Sequence, residues 1–351
     1  MSGRAGDLAG HCGLVGPRAE KTVALALQGG GAHGAFTWGV LDRLLEDGRL
    51  AFEAITGASA GSMNAVLMTD GWLRGGPDGA RERLELFWRK VSFDGDLPPI
   101  VRRTFEYVLG AWSPDLPNPW LDLWRDTVSP TEGNPLDLNP LRDVVRDLVD
   151  FERLRGADVK LFVAATNVWS GQVRIFETGE LTADHVMASA CLPTLFRAVT
   201  IEGEPYWDGG YVGNPPLYPL FYKAAADDVL LVQINPVERR LTPTTTQEIR
   251  NRMQEITFNG GLLRELRVVD FVTRLIDDGK LDRREYKRVF MHRIDGGPEI
   301  ARYMASTRLN ADWGFFQRLR DLGRRATSAW LDAHYADIGT RSTLDVKAAT
   351  G

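Results

Sequence analysis

Apolar and polar residues along this chain fall into blocks that predict strands and helices in turn. Residues 22–27 (TVALAL) form a short apolar run that stops at three glycines, the pattern of a buried strand. Residues 35–45 follow with Phe36, Val40, Leu41, Leu44 and Leu45 at helical spacing, and Gly48 is a stop signal. The unit then recurs as a strand at 52–56, a tight turn at 57–61, and a helix at 62–73 carrying Met63, Val66, Leu67 and Met68. Further strands are predicted at 161–167, 173–176, 229–234 and 288–294. Residues 197–201 and 206–207 flank Glu202-Gly203-Glu204 as a hairpin. Helices are predicted at 184–191, 247–278 and 313–335. Strands alternating with helices imply an α/β fold with a mostly parallel central sheet covered on both faces.

One stretch breaks this texture. Residues 92–140 hold Pro98, Pro99, Pro114, Pro117, Pro119, Pro130 and Pro135, with Trp112, Trp120 and Trp124. They read as an insertion with short helices. A cap over a site and a folded surface excursion are both open at this point. Residues 1–21 lack periodicity and read as a flexible tail, 22–335 as a single domain, and 336–351 as a C-terminal tail. Apolar residues make up 44% of the 351, enough to bury a sizeable core. The formal charge of -5 gives no electrostatic case for nucleic-acid binding. Cys12 and Cys191 have no metal-ligand spacing and read as free thiols of a reducing compartment. The N-terminus lacks the apolar core of a signal peptide, and no run approaches the length of a spanning helix. The expectation is a cytoplasmic protein whose membrane contact, if it has any, is peripheral.

Three short motifs carry chemistry. Gly57-Ala58-Ser59-Ala60-Gly61 fits G-x-S-x-G between a predicted strand and a predicted helix. Small neighbours let a sharp turn expose the Ser59 hydroxyl, and the helix N-terminus favours negative charge developing there. Without that context the same pentapeptide would be a plain turn. Gly29-Gly30-Gly31-Ala32-His33-Gly34 follows the first strand, where consecutive amides can line a concavity for a phosphate or an oxyanion. A dinucleotide loop is the competing reading, with Glu53 the one acid at a suitable distance. Asp208-Gly209-Gly210 is more often a turn when met alone, but it places a carboxylate at a strand end. Among the five histidines, His292 completes the order Ser59, Asp208, His292 of an α/β-hydrolase triad. That fold, however, sets its elbow after several strands, and Ser59 follows only the second.

Together these elements resemble the patatin-like phospholipases. The family's G-G-G-x-x-G loop matches Gly29, Gly30, Gly31 and Gly34; its G-x-S-x-G elbow matches Gly57, Ser59 and Gly61; its D-G-G/A matches Asp208, Gly209 and Gly210. The blocks Ala188–Pro193, Asn214 with Pro216, 134–141 and 309–313 resemble further family segments. The sequence departs at His33, where relatives commonly carry Arg or Lys. The resemblance implies a three-layer α/β/α fold and a Ser59–Asp208 dyad without histidine. It implies an oxyanion hole from Gly29, Gly30, Gly31 and Ala60, an acyl-enzyme intermediate, and neither metal nor cofactor. It implies a lipid or other long-chain acyl ester as substrate. Acyl transfer to an alcohol or a thioester reaction on the same site, and a silent lipid-sensing protein, are the alternatives.

Overall fold

The computed structural model describes residues 13–92, 139–303 and 305–350. The Pro/Trp-rich stretch lies outside them except at its ends, as do residues 1–12. Within the described residues the expected α/β architecture is present. Eight strands form one sheet: β1 Lys21–Leu27, β2 Leu50–Ala58, β3 Lys160–Asn167, β4 Val173–Glu177, β5 Val199–Ile201, β6 Glu204–Asp208, β7 Asp228–Gln233 and β8 Phe290–Asp295. The strands β3-β2-β1-β7-β8 run parallel in that order. The hairpin β5-β6 and strand β4 join β3 antiparallel. All nine residues of β2 are buried, as expected for a central parallel strand covered on both faces.

Helix α1 (Gly34–Asp47) follows β1, and α2 (Ala60–Lys90) follows β2. The backbone of α2 leaves helical angles at Gly75 and Gly76, just before Pro77, so it is two helices joined by a kink. Arg74 and Arg83, one from each side, converge on the buried Asp70 carboxylate at 2.8 and 3.4 Å. Then come α3 (Pro140–Leu148), α4 (Phe151–Arg155), α5 (Ala183–Ser189), α6 (Tyr218–Lys223) and the long α7 (Thr246–Asp277). After β8 follow α8 (Gly297–Ile300), α9 (Trp313–His334) and α10 (Val346–Thr350). Two apolar layers cover the sheet. One gathers α1, α2 and α9 around Trp38, Phe36, Leu41 and Phe316; the other gathers α6 and α7 around Leu220, Leu262 and Leu266.

The segments read as tails are tied to this body where the structure describes them. Leu14 is buried and bridges Phe52 with hydrogen bonds of 2.8 and 3.1 Å. Thr343 and Leu344 donate to the carbonyl of Met291, and Leu344 is buried in the second layer. Burial of these apolar residues holds both segments against the body.

The pairing of β3 brings the two most informative motifs together. Phe162–Ala164 pair with both β2 and β4, so those two strands lie on opposite edges of β3. Ala165 and Thr166 pair with both β4 and β6, so β6 lies on the edge that β2 occupies. Strand β2 ends on that edge at Ala58, opposite Ala164, and β6 descends antiparallel to end at Asp208, opposite Ala165. Ser59 and Asp208 therefore arrive head to head along one edge of one strand.

Candidate active site

Ser59 is the single residue between β2 and α2. Its backbone has φ 54° and ψ -126°, a conformation that costs a residue with a side chain roughly 1–3 kcal/mol. Buried hydrogen bonds hold it there. The Ser59 N–H donates to the Ser189 carbonyl (3.1 Å) and to Ser189 Oγ (3.0 Å), and Ser189 Oγ lies 2.8 Å from Ser62 Oγ. Close approach explains the last glycine of the motif. A Cβ on Gly61 would sit 2.1 Å from the Leu27 carbonyl oxygen, so any side chain would push β1 away from the turn.

Asp208 closes β6 and is wholly buried. Its main chain is fixed by donation to the Cys191 carbonyl (2.8 Å) and by acceptance from Thr166 Oγ1 (2.8 Å). Oδ1 accepts from the Gly210 N–H at 2.8 Å, which is what the two glycines after the acid provide. Oδ2 has no hydrogen-bond partner among the described residues. Burial pushes the carboxyl pKa up to about 7, against the Gly210 N–H, the Ser59 hydroxyl and the Arg308 charge, which all hold it down. The Ser59 hydroxyl is close enough to exert that pull, though no well-formed hydrogen bond joins the two side chains.

The histidine alternative does not fit. His292 is on β8, on the far side of β1 and β7 from β2. Both ring nitrogens are engaged there, Nε2 with Asp228 Oδ1 (2.9 Å) and Nδ1 with Thr343 Oγ1 (3.0 Å). His185 serves the N-terminus of α5 through Thr182, and His334 faces Asp337.

The glycine loop is clamped from behind by two asparagines. Asn214 Oδ1 accepts from the Gly29 N–H (2.6 Å), while Asn214 Nδ2 and Asn235 Nδ2 donate to the Gly29 carbonyl (3.2 and 2.7 Å). This corrects the expectation for Gly29: its N–H is already taken by Asn214 and is not free for an oxyanion. Gly31 and Ala60 begin the helical turn Gly31–His33 and helix α2, so their N–H groups have no acceptor within their own helices. Gly30 directly precedes the first of these turns. A Cβ on Gly34 would meet Ala60 Cβ at 2.6 Å, so loop and elbow are in contact. The acid of the dinucleotide reading is also accounted for. Glu53 accepts from the Ala225 and Ala226 N–H groups and from Lys160 Nζ, in the half of β2 remote from the loop.

His33 is buried, with Nε2 2.7 Å from Thr307 Oγ1. Burial, helped by Arg308 and Arg239, lowers its pKa to about 3, so the imidazole is neutral at physiological pH. The cation beside the loop is Arg308 instead, from the turn Ala305–Leu309. Its carbonyl oxygen lies 2.4 Å from where a Cβ of Gly31 would be. Neither Asn235 nor Arg308 was marked by sequence reasoning. Both are isolated polar residues far along the chain from the loop they support, and no local pattern flags them.

Ser59, Ala60, Gly31 and Arg308 open onto a cavity of about 140 Å³. Its walls are mainly apolar, including Met63, Phe87, Trp88, Leu195, Phe196 and Phe316. Val91, Asn139 and Pro140, at the two ends of the Pro/Trp-rich stretch, also line it. This mainly apolar lining stands directly beside the Ser59 side chain.

Uncharacterized NTE family proteins of Mycobacterium bovis and Mycobacterium tuberculosis are 28% identical over 241 residues, 67% of this chain. That match spans 56% of their length, so this chain corresponds to little more than half of those relatives. Among solved structures, VipD from Legionella pneumophila is similar at 16% identity and a TM-score of 0.35, covering 87% of this chain and 67% of that one. ExoU from Pseudomonas aeruginosa, solved in complex with SpcU, is similar at 16% identity and a TM-score of 0.33, covering 90% and 53%. The family model for patatin-like phospholipase matches residues 25–221, a span that includes the glycine loop, the Ser59 elbow and Asp208. With more than half of its length under that model, the chain belongs to the patatin-like phospholipase family.

Proposed function

We propose that this protein is a lipid acyl hydrolase that works through a Ser59–Asp208 dyad and an acyl-enzyme. The observation that carries the reading is the meeting of β2 and β6 on one edge of β3. It brings a strained serine beside a buried carboxylate, one oxygen of which has no hydrogen-bond partner among the described residues. Ser59 Oγ attacks the ester carbonyl as Asp208 takes its proton. The N–H groups of Gly30, Gly31 and Ala60 stabilise the oxyanion, each worth on the order of 3 kcal/mol. Collapse returns the proton to the departing alcohol and leaves the acyl group on Ser59. Water, deprotonated by Asp208, then attacks the acyl carbonyl; the bond to Ser59 Oγ breaks, Asp208 returns the proton to that oxygen, and the carboxylic acid leaves. The apolar cavity beside Ser59 suits the acyl chain.

A hydrolysis assay over a panel of phospholipids, acylglycerols and p-nitrophenyl esters tests this reading, with Ser59→Ala as control. Equal rates for the two proteins would refute it. The pH profile is a second check. Only the ionised carboxylate can act as base, and burial raises its pKa to about 7. So kcat/KM on a soluble ester should fall about tenfold per pH unit below that value and level off above it. Asn214→Ala frees the Gly29 peptide and loosens the loop behind the oxyanion site. Its kcat should fall about tenfold to a hundredfold with a smaller change in KM, as steady-state kinetics would show.

A further inference from the structure

The two asparagines behind the glycine loop are not equivalent. Asn214 bonds to both the N–H and the carbonyl of Gly29. Asn235 bears on the carbonyl alone, and at the shorter distance, 2.7 against 3.2 Å. That carbonyl belongs to the same peptide unit as the Gly30 N–H. The unit is trans, so fixing the carbonyl toward the asparagines sends the N–H the opposite way. The Gly30 N–H meets no acceptor among the described residues. The same peptide borders Ser59, since a Cβ on Gly29 would lie 2.6 Å from Ser59 Cβ.

Asn235 is buried and held in turn. Its N–H donates to Gln28 Oε1 (2.8 Å), and its Oδ1 accepts from Arg308 Nη2 (2.5 Å). A guanidinium can only donate and a carbonyl can only accept. The Asn235 amide therefore has one arrangement, oxygen to Arg308 and nitrogen to Gly29. The turn that carries Arg308 is docked on the loop as well, through Thr307 on His33 and the Arg308 carbonyl against Gly31. Hydrogen bonds in series polarise one another, and a cation at the head strengthens the run. Here the run passes from Arg308 through the Asn235 amide to the Gly29 carbonyl, and so to the Gly30 N–H.

We infer that Asn235, oriented by Arg308, is a positioning residue that aims the Gly30 N–H at the oxyanion and strengthens it as a donor. This inference rests on the hydrolase reading and adds to it the support that a run of glycines cannot supply by itself. Asn235 acts only through the Gly29–Gly30 peptide, so its effect is confined to steps in which negative charge builds on the substrate oxygen.

A matched pair of soluble substrates tests it: p-nitrophenyl butyrate and its thiono analogue, in which sulfur replaces the carbonyl oxygen. Sulfur accepts hydrogen bonds weakly, so the thiono ester gains little from an oxyanion donor. Rates are taken well above the Asp208 pKa of about 7, where the base is ionised, and circular dichroism selects folded protein. Asn235→Asp keeps the side-chain shape and loses the donor. Its kcat/KM on the oxo ester should fall about tenfold to a hundredfold, carried by kcat, while the thiono ester falls less than about threefold. Asn235→Ala should behave alike. Arg308→Met should show a smaller loss in the same direction, partly restored in Arg308→Lys; that pair decides the matter if neither Asn235 variant folds. Equal losses on the two esters mark a merely structural role and overturn the inference. So does an unchanged oxo-ester rate in folded Asn235→Asp, and there the hydrolase reading survives. Wild type inert on both esters and on the lipid panel overturns inference and reading together.

Discussion

Ser59→Ala should lower kcat for ester hydrolysis by at least about a thousandfold while leaving the fold intact. The size follows from the role proposed for the hydroxyl. Without it no acyl-enzyme forms, and only the cavity and the oxyanion N–H groups remain to act on the ester. The fold should persist because the turn is held by the Ser59 backbone N–H on Ser189, not by the side chain. Alanine also tolerates φ 54° no worse than serine. A thermal melt matching wild type, alongside the kinetic loss, would separate lost chemistry from lost structure. Residual activity near wild type would move the nucleophile elsewhere.

Asp208→Asn should remove activity to a similar degree and at the same time change the pH dependence of stability in the variant's favour. The sign follows from the raised pKa. The unfolded chain gives up this proton near pH 3.8, whereas the folded protein holds it to about pH 7. Stability from this group is full below the first value and is lost as pH rises to the second. Above pH 7 the wild type carries a buried charge that asparagine does not. Between pH 4 and pH 8 the stability difference should therefore shift toward the variant by up to about 4 kcal/mol, from roughly three pKa units at 1.36 kcal/mol each. Chemical denaturation at both pH values measures it. A purely structural Asp208 would give a variant destabilised at both. His292→Gln supplies the contrast. It should lose stability through the Asp228 and Thr343 contacts yet keep its activity per folded molecule.

The units that position Ser59 were legible because they are local. A buried apolar run, a glycine-rich turn and a helix-spaced stripe follow one another twice within residues 21–73, and each signal depends only on near neighbours. The hairpin β5-β6 was legible for the same reason. What the sequence could not supply is the pairing of β6 beyond the end of β2, because both strands compete for one edge of β3. That choice depends on sheet-wide packing, and it brings Asp208-Gly209-Gly210 to the end of β2 where Ser59 lies. The loop's supports were hidden likewise. Asn214 showed only as part of a family block, and Asn235 and Arg308 not at all. The single histidine inside the loop pointed to weak charge there, and the structure supplies a cation from another segment. Gly29 was misassigned because a run of glycines does not reveal which amide faces forward and which is clamped from behind.

A fluorophosphonate probe reads out whether Ser59 is the activated nucleophile proposed above. Intact-mass and peptide analysis of the labelled protein should find one adduct, on Ser59. Its rate of formation should rise with pH through about 7 and collapse in Asp208→Asn. No label at Ser59 on folded wild-type protein, or equally fast labelling of Asp208→Asn, would rule out a nucleophilic Ser59 activated by Asp208.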